Sequence, residues 1–357
     1  MLKSFSIKNF RCFQDFTIKP LGRINLITGK NNVGKTALLE AGFLFAGATN
    51  PQLAMSINAF RGIEVFEIKS DLQSETPWNS LFFDFDEDAK ITIIGEDEKL
   101  GIRSLNMQIQ RKEAELVMKR VPDKKREGFI LSELTGKSLE LEFINESKKS
   151  IKSKMTLEDK GIKVNSPSVP IPYPAIFLSA KPKNTNVVDA QRYGKMEKIR
   201  KEDMVLNVLK HVEPKLQRLT VIFAAGEPMI HGDIGIERLL PLAIMGDGMT
   251  RVCSLVLAIA NSQNGIAFID EIENGIHHSI MDKIWIGVFE TAKQFNTQIF
   301  ATTHSRECVI AAHNVFSKSK EDDFLLHRLD KIDGKIEAKT YDRKILEAAL
   351  KTDLEIR

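Results

Sequence analysis

The stretch Ile24–Glu40, INLITGKNNVGKTALLE, decides how this chain folds. A short apolar run, Ile24–Thr28, precedes a glycine-framed loop, and a helix-compatible segment, Ala37–Leu44, follows it. The loop fits the pattern G-x-x-x-x-G-K-[ST], in which successive backbone N–H groups and a helix N-terminus form a concave anion site. An ordinary glycine turn would explain the two glycines but not the Lys-Thr pair. The stretch therefore predicts nucleotide binding by Gly29, Asn31, Asn32, Val33, Gly34, Lys35, Thr36 and Ala37.

Two side chains of this loop have distinct predicted roles. Lys35 is expected to reach the β- and γ-phosphates, and the Thr36 hydroxyl is expected to ligate Mg²⁺. The helix that follows, 34–48, is apolar on nearly every face, so it should be buried inside the fold.

The composition is that of a soluble globular protein. Of 357 residues, 43% are hydrophobic and 28% charged, and the net charge of +3 is too small to indicate a nucleic-acid partner by itself. Cys12, Cys253 and Cys308 are widely spaced and match no disulfide or zinc pattern, which favours a reducing compartment. The longest apolar run, Cys253–Ala260, is far too short to span a membrane. We therefore predict a cytoplasmic protein with no membrane partner.

Three regions follow from changes in residue pattern. Residues 1–60 should hold two antiparallel strands and the phosphate loop, and residues 175–357 return to apolar strands and helices, including one charged helix at Lys195–His211. Between them, 61–174 alternates β-like runs with charged turns, which predicts an antiparallel β-rich insertion. The β-like runs are Ser80–Phe85, Ile91–Ile94, Ser104–Arg111 and Leu139–Ile144.

The insertion carries two basic clusters. One comprises Lys119, Arg120 and 124–126, and the other comprises Lys148, Lys149, Lys152 and Lys154. Lysines at hairpin tips are usually solvated, but a cluster of them can also track a phosphate backbone. Nucleic acid therefore stays open as a partner.

A second informative region is Leu239–Ala260, LLPLAIMGDGMTRVCSLVLAIA, where a glycine turn precedes a strongly apolar helix. The turn consists of Gly246, Asp247 and Gly248, and it predicts another exposed helix N-terminus of the kind that holds anions. Because glycine before a helix is common, this turn is informative only together with other motifs.

Two carboxylates, Asp270 and Glu271, follow the apolar run Ile266–Ile269. Carboxylates at the end of a buried strand are costly unless they serve a metal ion or water. A further strand, Gln298–Thr302, leads to His304. Ligands in open α/β sheets bind beyond the carboxyl ends of the parallel strands. The phosphate loop, the acidic pair and His304 are therefore predicted to meet at one edge of a sheet.

Taken together, GKNNVGKT at 29–36, MGDGMTR at 245–251, AFIDEIENGIHH at 267–278 and IFATTHS at 299–305 resemble the ATP-binding-cassette (ABC) type of ATPase head. The resemblance is closest to AAA-like ATPases related to the OLD (overcoming lysogenisation defect) family, and more distant to SMC and DNA-repair clamp heads. It implies an α/β fold: an ABC-type P-loop ATPase head with a mostly parallel core sheet, an N-terminal antiparallel β part and a β-rich insertion. The stretch after His304 is too short for the TOPRIM nuclease domain of full-length OLD proteins, so we expect none.

The resemblance also implies roles for the motif residues. Asp270 would hold Mg²⁺, Glu271 would position and activate the attacking water, and His304 would be the switch histidine near the γ-phosphate. Gly246, Asp247 and Gly248, within the segment Met245–Arg251, would close in trans over ATP held by a second copy. ATP and Mg²⁺ are thus the implied cofactors, with a homodimer or higher homo-oligomer. By analogy with the ATPase partners of antiphage systems, a separate effector protein such as a nuclease is the further implied partner.

The glycine turn departs from the family pattern, because the signature serine of transporter cassettes and SMC heads is absent and Met245 and Asp247 stand in its neighbourhood. Alternatives remain: a DNA-binding or repair-type ATPase, a GTPase, a transporter subunit and a non-catalytic scaffold. A GTPase would need an N/T-K-x-D motif, and the nearest string, 330–333, has the wrong first residue. A transporter subunit would have a compact cassette and a clear serine signature, and Glu271 argues against a non-catalytic scaffold.

Overall fold

The computed structural model describes residues 1–63, 76–111, 115–121, 128–134, 137–158, 161–167, 169, 173–180, 185–224, 226–318 and 323–352. Its strands are β1 Leu2–Phe10, β2 Phe13–Ile18, β3 Ile24–Gly29, β4 Ile91–Asp97, β5 Gly101–Arg111, β6 Glu115–Val121, β7 Gly128–Leu134, β8 Lys137–Ile144, β9 Ser150–Glu158, β10 Gly161–Asn165, β11 Ala175–Leu178, β12 Arg218–Ala224, β13 Glu227–Asp233, β14 Leu240–Pro241, β15 Ile266–Ile269, β16 Gln298–Thr302, β17 Phe324–Ile332 and β18 Lys335–Tyr341. Its helices are α1 Lys35–Ala46, α2 Leu53–Phe60, α3 Thr185–Lys198, α4 Glu202–Leu209, α5 Asp247–Ala260, α6 Met281–Gln294, α7 Arg306–Phe316 and α8 Arg343–Lys351.

The core sheet has six strands in the order β11-β15-β16-β3-β17-β18. All neighbouring pairs are parallel except β17 with β18. Its central strands β15, β16 and β3 are buried along their whole length, as expected for a sheet covered on both faces. The predicted mostly parallel core sheet is confirmed.

A second, seven-stranded sheet is antiparallel throughout, in the order β10-β9-β8-β5-β4-β1-β2. The predicted N-terminal strands are confirmed, and β4, β5, β8, β9 and β10 extend the same sheet, because β4 pairs with β1. Strands β6 and β7 pair with each other in a separate two-stranded sheet. The N-terminal β part and most of the described β-rich region therefore share one sheet. The boundaries 1–60, 61–174 and 175–357 stay predictions.

Helix α1 lies between the two sheets. It is buried along nearly its whole length, which confirms the expectation from its all-round apolar sequence. Gly42 faces the Phe268 ring of β15 so closely that an added Cβ would lie 2.5 Å from it. On the other side, the Phe45 ring packs edge-on against Phe5 of β1, 5.6 Å between centroids. Helices α3 to α8 cover the opposite face of the core sheet in a second apolar core.

Two segments differ from the sequence-based expectations. The β-like run Ser80–Phe85 instead forms two short 3₁₀ turns, Asn79–Leu81 and Phe83–Phe85, with Asp84 and Phe85 in the left-handed region at φ 53° and 57°. The single helix predicted at Lys195–His211 is two helices, α3 and α4, because Arg200 between them adopts φ 54° and interrupts the helix.

We expect a buried histidine on β17 to make the fold sensitive to acid. His327 Nδ1 lies 3.0 Å from Thr340 Oγ1, and its Nε2 lies 3.3 Å from Asn25 Oδ1. Burial lowers the pKa of His327 to about 3. Since the unfolded pKa is ~6.5, the contribution of His327 to folding stability is complete above that pH and is lost as the pH falls toward the folded value.

We predict that lowering the pH from 7 to 5 costs the parental protein about 2 kcal/mol through this histidine alone. The variant His327→Gln should lose about that much less over the same interval. Urea unfolding at the two pH values measures the difference, and His211→Gln, at an exposed position, serves as the control. An identical pH dependence in the His327→Gln and parental proteins would contradict the prediction.

Candidate functional site

The polar groups singled out in the sequence follow three neighbouring strands of the core sheet. Strands β15, β16 and β3 are adjacent and parallel, so their carboxyl ends lie side by side. The phosphate loop follows β3, Asp270 and Glu271 follow β15, and His304 follows β16. The predicted meeting of these groups at one sheet edge is therefore what the topology produces.

The two loop glycines occupy positions that no other residue fits. Gly29 has φ 136°, and a Cβ there would lie 2.5 Å from the backbone oxygen of Leu329. Gly34 has φ 93°, and a Cβ there would lie 2.7 Å from Cys12 Sγ. These conformations turn the chain sharply from β3 into α1, so the loop opens at a helix N-terminus.

Lys35, the first residue of α1, is buried, and its ammonium points back over the loop. Its Nζ donates to the backbone oxygens of Gly29 at 2.6 Å and Lys30 at 2.8 Å. Burial lowers the pKa of Lys35, and the nearby carboxylates of Asp270 and Glu271 oppose that shift. The ammonium is thus held where a phosphate bound by the loop would meet it.

Asp270 joins the three strand ends through hydroxyl groups. Thr36 Oγ1 lies 3.1 Å from Asp270 Oδ1 and 3.2 Å from Oδ2, and Thr302 Oγ1 donates to Oδ1 at 2.7 Å. Mg²⁺ takes oxygen ligands and is commonly held by one or two protein groups together with substrate phosphates and water. The oxygens of Thr36 and Asp270 fit that ion.

Glu271 and His304 face each other at the same edge. Glu271 Oε1 lies 3.4 Å from His304 Nε2, and the two side chains are 38% and 41% exposed. The backbone of Glu271 is left-handed, at φ 49°, and its N–H donates to Thr302 Oγ1 at 2.9 Å. The His304 N–H donates to Glu273 Oε1 at 2.8 Å. The partly exposed Glu271 carboxylate, held beside His304, can accept a proton from a water molecule.

A cleft of about 580 Å³ opens beside the phosphate loop. It is lined by Arg11, Cys12, Asn31, Asn32, Gly34, Lys35, Thr36, Ala37, Arg61, Ser80, Phe82, Asp84, Phe85 and His304. The size is typical of a small-molecule site. The lining includes six of the predicted loop residues and His304, while the Val33 side chain is buried. Gly29, Asp270 and Glu271 are not among the described residues that line the cleft.

Two arginines of the cleft share one buried carboxylate, and sequence reasoning missed all three groups. Glu40 of α1 is fully buried, and it accepts two hydrogen bonds from Arg61, at 2.6 and 3.0 Å. Arg11 Nε lies 3.2 Å from the same carboxylate. Two cations for one anion leave the cleft wall positively charged. The signal in the sequence was Glu40, the one charged residue within the apolar segment Ala37–Leu44.

The glycine turn is placed differently from the cleft residues. Gly246 precedes α5, whereas Asp247 and Gly248 already belong to its first turn, so the helix begins two residues earlier than expected. Gly246 and Asp247 are exposed and Gly248 is half-buried. The described residues that line the cleft do not include them. Any contact of this turn with nucleotide therefore stays a prediction.

The second basic cluster lies on the seven-stranded sheet and the turn before β9. Lys154 Nζ lies 3.0 Å from Glu140 Oε1 on the neighbouring strand, so part of the positive charge of the cluster is neutralised. Lys148 and Lys149 occupy the exposed turn. The side chains of the first cluster, 119–126, lie outside the described residues. Within the described part of the chain, no helix is long and apolar enough to cross a membrane.

Comparison with known proteins assigns the chain to a family. A family model described as AAA domain, putative AbiEii toxin, Type IV TA system matches residues 24–309. The chain belongs to this AAA domain family. An ATP/GTP phosphatase of Helicobacter pylori (strain ATCC 700392 / 26695) is 25% identical over 327 residues, which cover 87% of this chain and 86% of that protein. The protein is an ATPase of this AAA type, which confirms the predicted enzyme class.

Two further similarities concern the fold and the family branch. The SMC head solved with the C-winged helix domain of ScpA matches with a TM-score of 0.50 at 12% identity, over 98% of this chain and 99% of that chain. This likeness confirms the predicted ABC/SMC-type head fold. An OLD nuclease of Thermus scotoductus (strain ATCC 700910 / SA-01) is 45% identical over 53 residues, 15% of this chain and 10% of that protein. Because that match is short, the OLD relationship stays a prediction.

The contacts of the Thr302 hydroxyl with Asp270 and the Glu271 N–H form a network at the strand ends that mutation can test. Thr302→Val keeps the side-chain shape but removes the hydroxyl that contacts Asp270 and the Glu271 N–H. We predict roughly 10- to 100-fold weaker Mg²⁺ affinity or lower ATPase activity. Titration of Mg²⁺ in nucleotide-binding and ATPase assays measures it. Thr291→Val, which removes one buried hydroxyl within α6, is the matched control. Unchanged Mg²⁺ half-saturation and rate in Thr302→Val would refute the role of the network.

Proposed function

We propose that this ATPase binds ATP at its phosphate loop, closes on a second copy of itself, and opens again after hydrolysis, so that the cycle regulates a separate effector protein. The observation that carries the proposal is the Glu271–His304 pair. Its two side chains meet at 3.4 Å beside the phosphate loop yet remain about two-fifths exposed. Hydrolysis of a phosphoanhydride works best where bulk water is excluded. A second surface is therefore needed to cover the pair.

In this proposal the side chains have separate roles. Lys35 neutralises phosphate charge, and the N-terminus of α1 adds its backbone N–H groups. Mg²⁺ held by Thr36 and Asp270 would supply further positive charge at the phosphate oxygens. Glu271 accepts a proton from the attacking water. His304 lies within hydrogen-bonding range of the Glu271 carboxylate and orients that carboxylate.

The start of α5 is the surface proposed to cover the site of the second copy. Gly246 and Asp247 are exposed, and a helix N-terminus of this kind attracts anions. The effector is proposed from two similarities: the family description names a toxin system, and the short matching segment belongs to an OLD nuclease. A nuclease of antiphage defence is accordingly the proposed effector class, and it is argued by analogy.

The division of roles predicts different defects in two variants. Lys35→Ala should weaken ATP binding at least about 10-fold, because it removes the cation that meets the phosphates. Glu271→Gln should bind ATP within about threefold of the parental affinity but lose about 100-fold or more in kcat, because it cannot accept the proton. Fluorescent-nucleotide titration and phosphate release measure the two quantities. Parental turnover in Glu271→Gln would show that another group activates water.

Closure predicts a change of mass on adding nucleotide. Glu271→Gln protein with ATP should sediment as a dimer, and the same protein without ATP as a smaller species. Adding Asp247→Trp should prevent the ATP-dependent shift, because a bulky side chain on the exposed start of α5 blocks close approach. Asp15→Trp, on the exposed face of β2, is the control and should leave the shift intact. No shift with ATP would contradict closure.

A further inference from the structure

Arg251 connects the start of α5 to the acidic pair. It lies one helical turn beyond Asp247, and its side chain is buried. Its Nη2 donates to the backbone oxygens of Asp270 at 2.7 Å and Glu271 at 2.9 Å. Its Nη1 donates to the backbone oxygen of Ser179, which follows β11, at 3.0 Å. One guanidinium therefore holds the ends of two adjacent strands, β11 and β15.

A purely structural role explains this arginine poorly. Within the described residues its Nε is buried without a hydrogen-bond partner, and the bonds it does make are to neutral carbonyls. Burial lowers the pKa of Arg251, and the charges of Asp270, Glu273 and Glu271 oppose the shift. A well-packed apolar side chain would fill the same volume without the cost of desolvating a cation. The hydrogen bonds from Nη2 to the backbone oxygens of Asp270 and Glu271 are therefore the contacts that indicate a further role for Arg251.

Those carbonyls determine where the Glu271 side chain points. Glu271 adopts φ 49°, a backbone conformation that a residue with a Cβ rarely takes and that surrounding contacts must maintain. Hydrogen bonds to the oxygens of both Asp270 and Glu271 fix the peptide on either side of the Glu271 Cα. These bonds therefore fix the direction of the Glu271 Cα–Cβ bond, and with it the 3.4 Å contact of the Glu271 side chain with His304.

The same helix also packs against the loop that leaves Glu271. A Cβ at Gly248 would lie 3.1 Å from the backbone oxygen of Gly275, and a Cβ at Gly275 would lie 3.8 Å from Asp247 Cβ and 3.9 Å from Arg251 Cβ. The first turn of α5 and the loop 271–275 are therefore in close contact. A displacement of either one must displace the other, because packed backbone does not deform continuously.

We propose that Arg251 is a positioning residue that transmits contacts made at the start of α5 to Glu271, so that covering the helix N-terminus orients the water-activating carboxylate. The inference rests on the proposed function, in which Glu271 activates water. It adds that the exposed turn and the acidic pair of one chain act as a single unit. Arg251 then contributes to turnover through Glu271, without contacting nucleotide.

Arg251→Lys tests this role, because lysine keeps the charge but cannot hold three carbonyls in one plane. We expect ATP affinity within about threefold of the parental value and kcat lower by roughly 10- to 100-fold. In the Glu271→Gln background the same substitution should change the residual rate less than about twofold, since residues that act through one group are not additive. Arg192→Lys is the control and should keep parental kinetics, because this partly buried arginine pairs with Asp189, which accepts a hydrogen bond from Ser254 of α5.

Three outcomes would overturn the inference: an unchanged kcat, a loss of affinity equal to the loss of kcat, or an undiminished effect in Glu271→Gln. If Glu271→Gln itself turns over ATP at the parental rate, the proposed function fails instead. Hydrogen exchange on Glu271→Gln protein gives a measurement that needs no Arg251 variant. Adding ATP should slow exchange at 271–276 together with 246–251. Protection of 246–251 alone would also overturn the coupling.

Discussion

The carboxylate of Asp270 is the group on which the site geometry depends. It sits at the end of a buried strand, where an unpaired charge would be strongly unfavourable, and it is satisfied by the hydroxyl groups of Thr36 and Thr302. Those hydroxyls belong to α1 and β16, so one carboxylate joins the phosphate loop, the acidic pair and the segment leading to His304. The same contacts that stabilise the charge therefore bring the reactive groups together.

The rigidity of this edge comes from the packing on both faces of the core sheet. Helix α1 is enclosed between the two sheets, and Gln298 at the start of β16 bonds both the N–H and the oxygen of Leu2 in β1, each at 2.9 Å. Gly42 lets α1 approach Phe268 more closely than a side chain would allow. Functional groups on loops are held accurately only when the strands beneath them are fixed. The seven-stranded sheet supplies that support through α1.

The elements with strong local patterns could be predicted, and the two segments that contain non-glycine residues in the left-handed region could not. Strands such as β3 and β15 are short apolar runs bounded by turn or charged residues, and α1 is apolar all round, so periodicity and length suffice. The run Ser80–Phe85 has the residues of a strand, but two left-handed residues there are compatible only with turns. The break at Arg200 carries no Gly or Pro to mark it.

The residues of the candidate site could likewise be predicted only in part. Motif spacing predicted Lys35, Thr36, Asp270, Glu271 and His304 as site residues because each follows a strand end, and the structure brings these residues to one sheet edge. The ion pairs of Glu40 and the carbonyl contacts of Arg251 join residues far apart in the chain, and they depend on side-chain directions that spacing does not encode. Thr302 was visible in TTHS, yet its function follows only once Asp270 is seen beside it.

The arrangement of α5 explains how a contact at its exposed start can influence Glu271 at the end of β15. A ligand or partner shifts an equilibrium only by as much as its contacts differ between two states. The start of α5 is exposed and the end of β15 is buried, so a contact at the first matters to the second only through a stiff connection. The packing of Gly248 on Gly275 and the hydrogen bonds of Arg251 provide that connection over a single helical turn. A contact that favours one position of α5 therefore also favours one orientation of Glu271, which is the minimum that coupling between the two places requires.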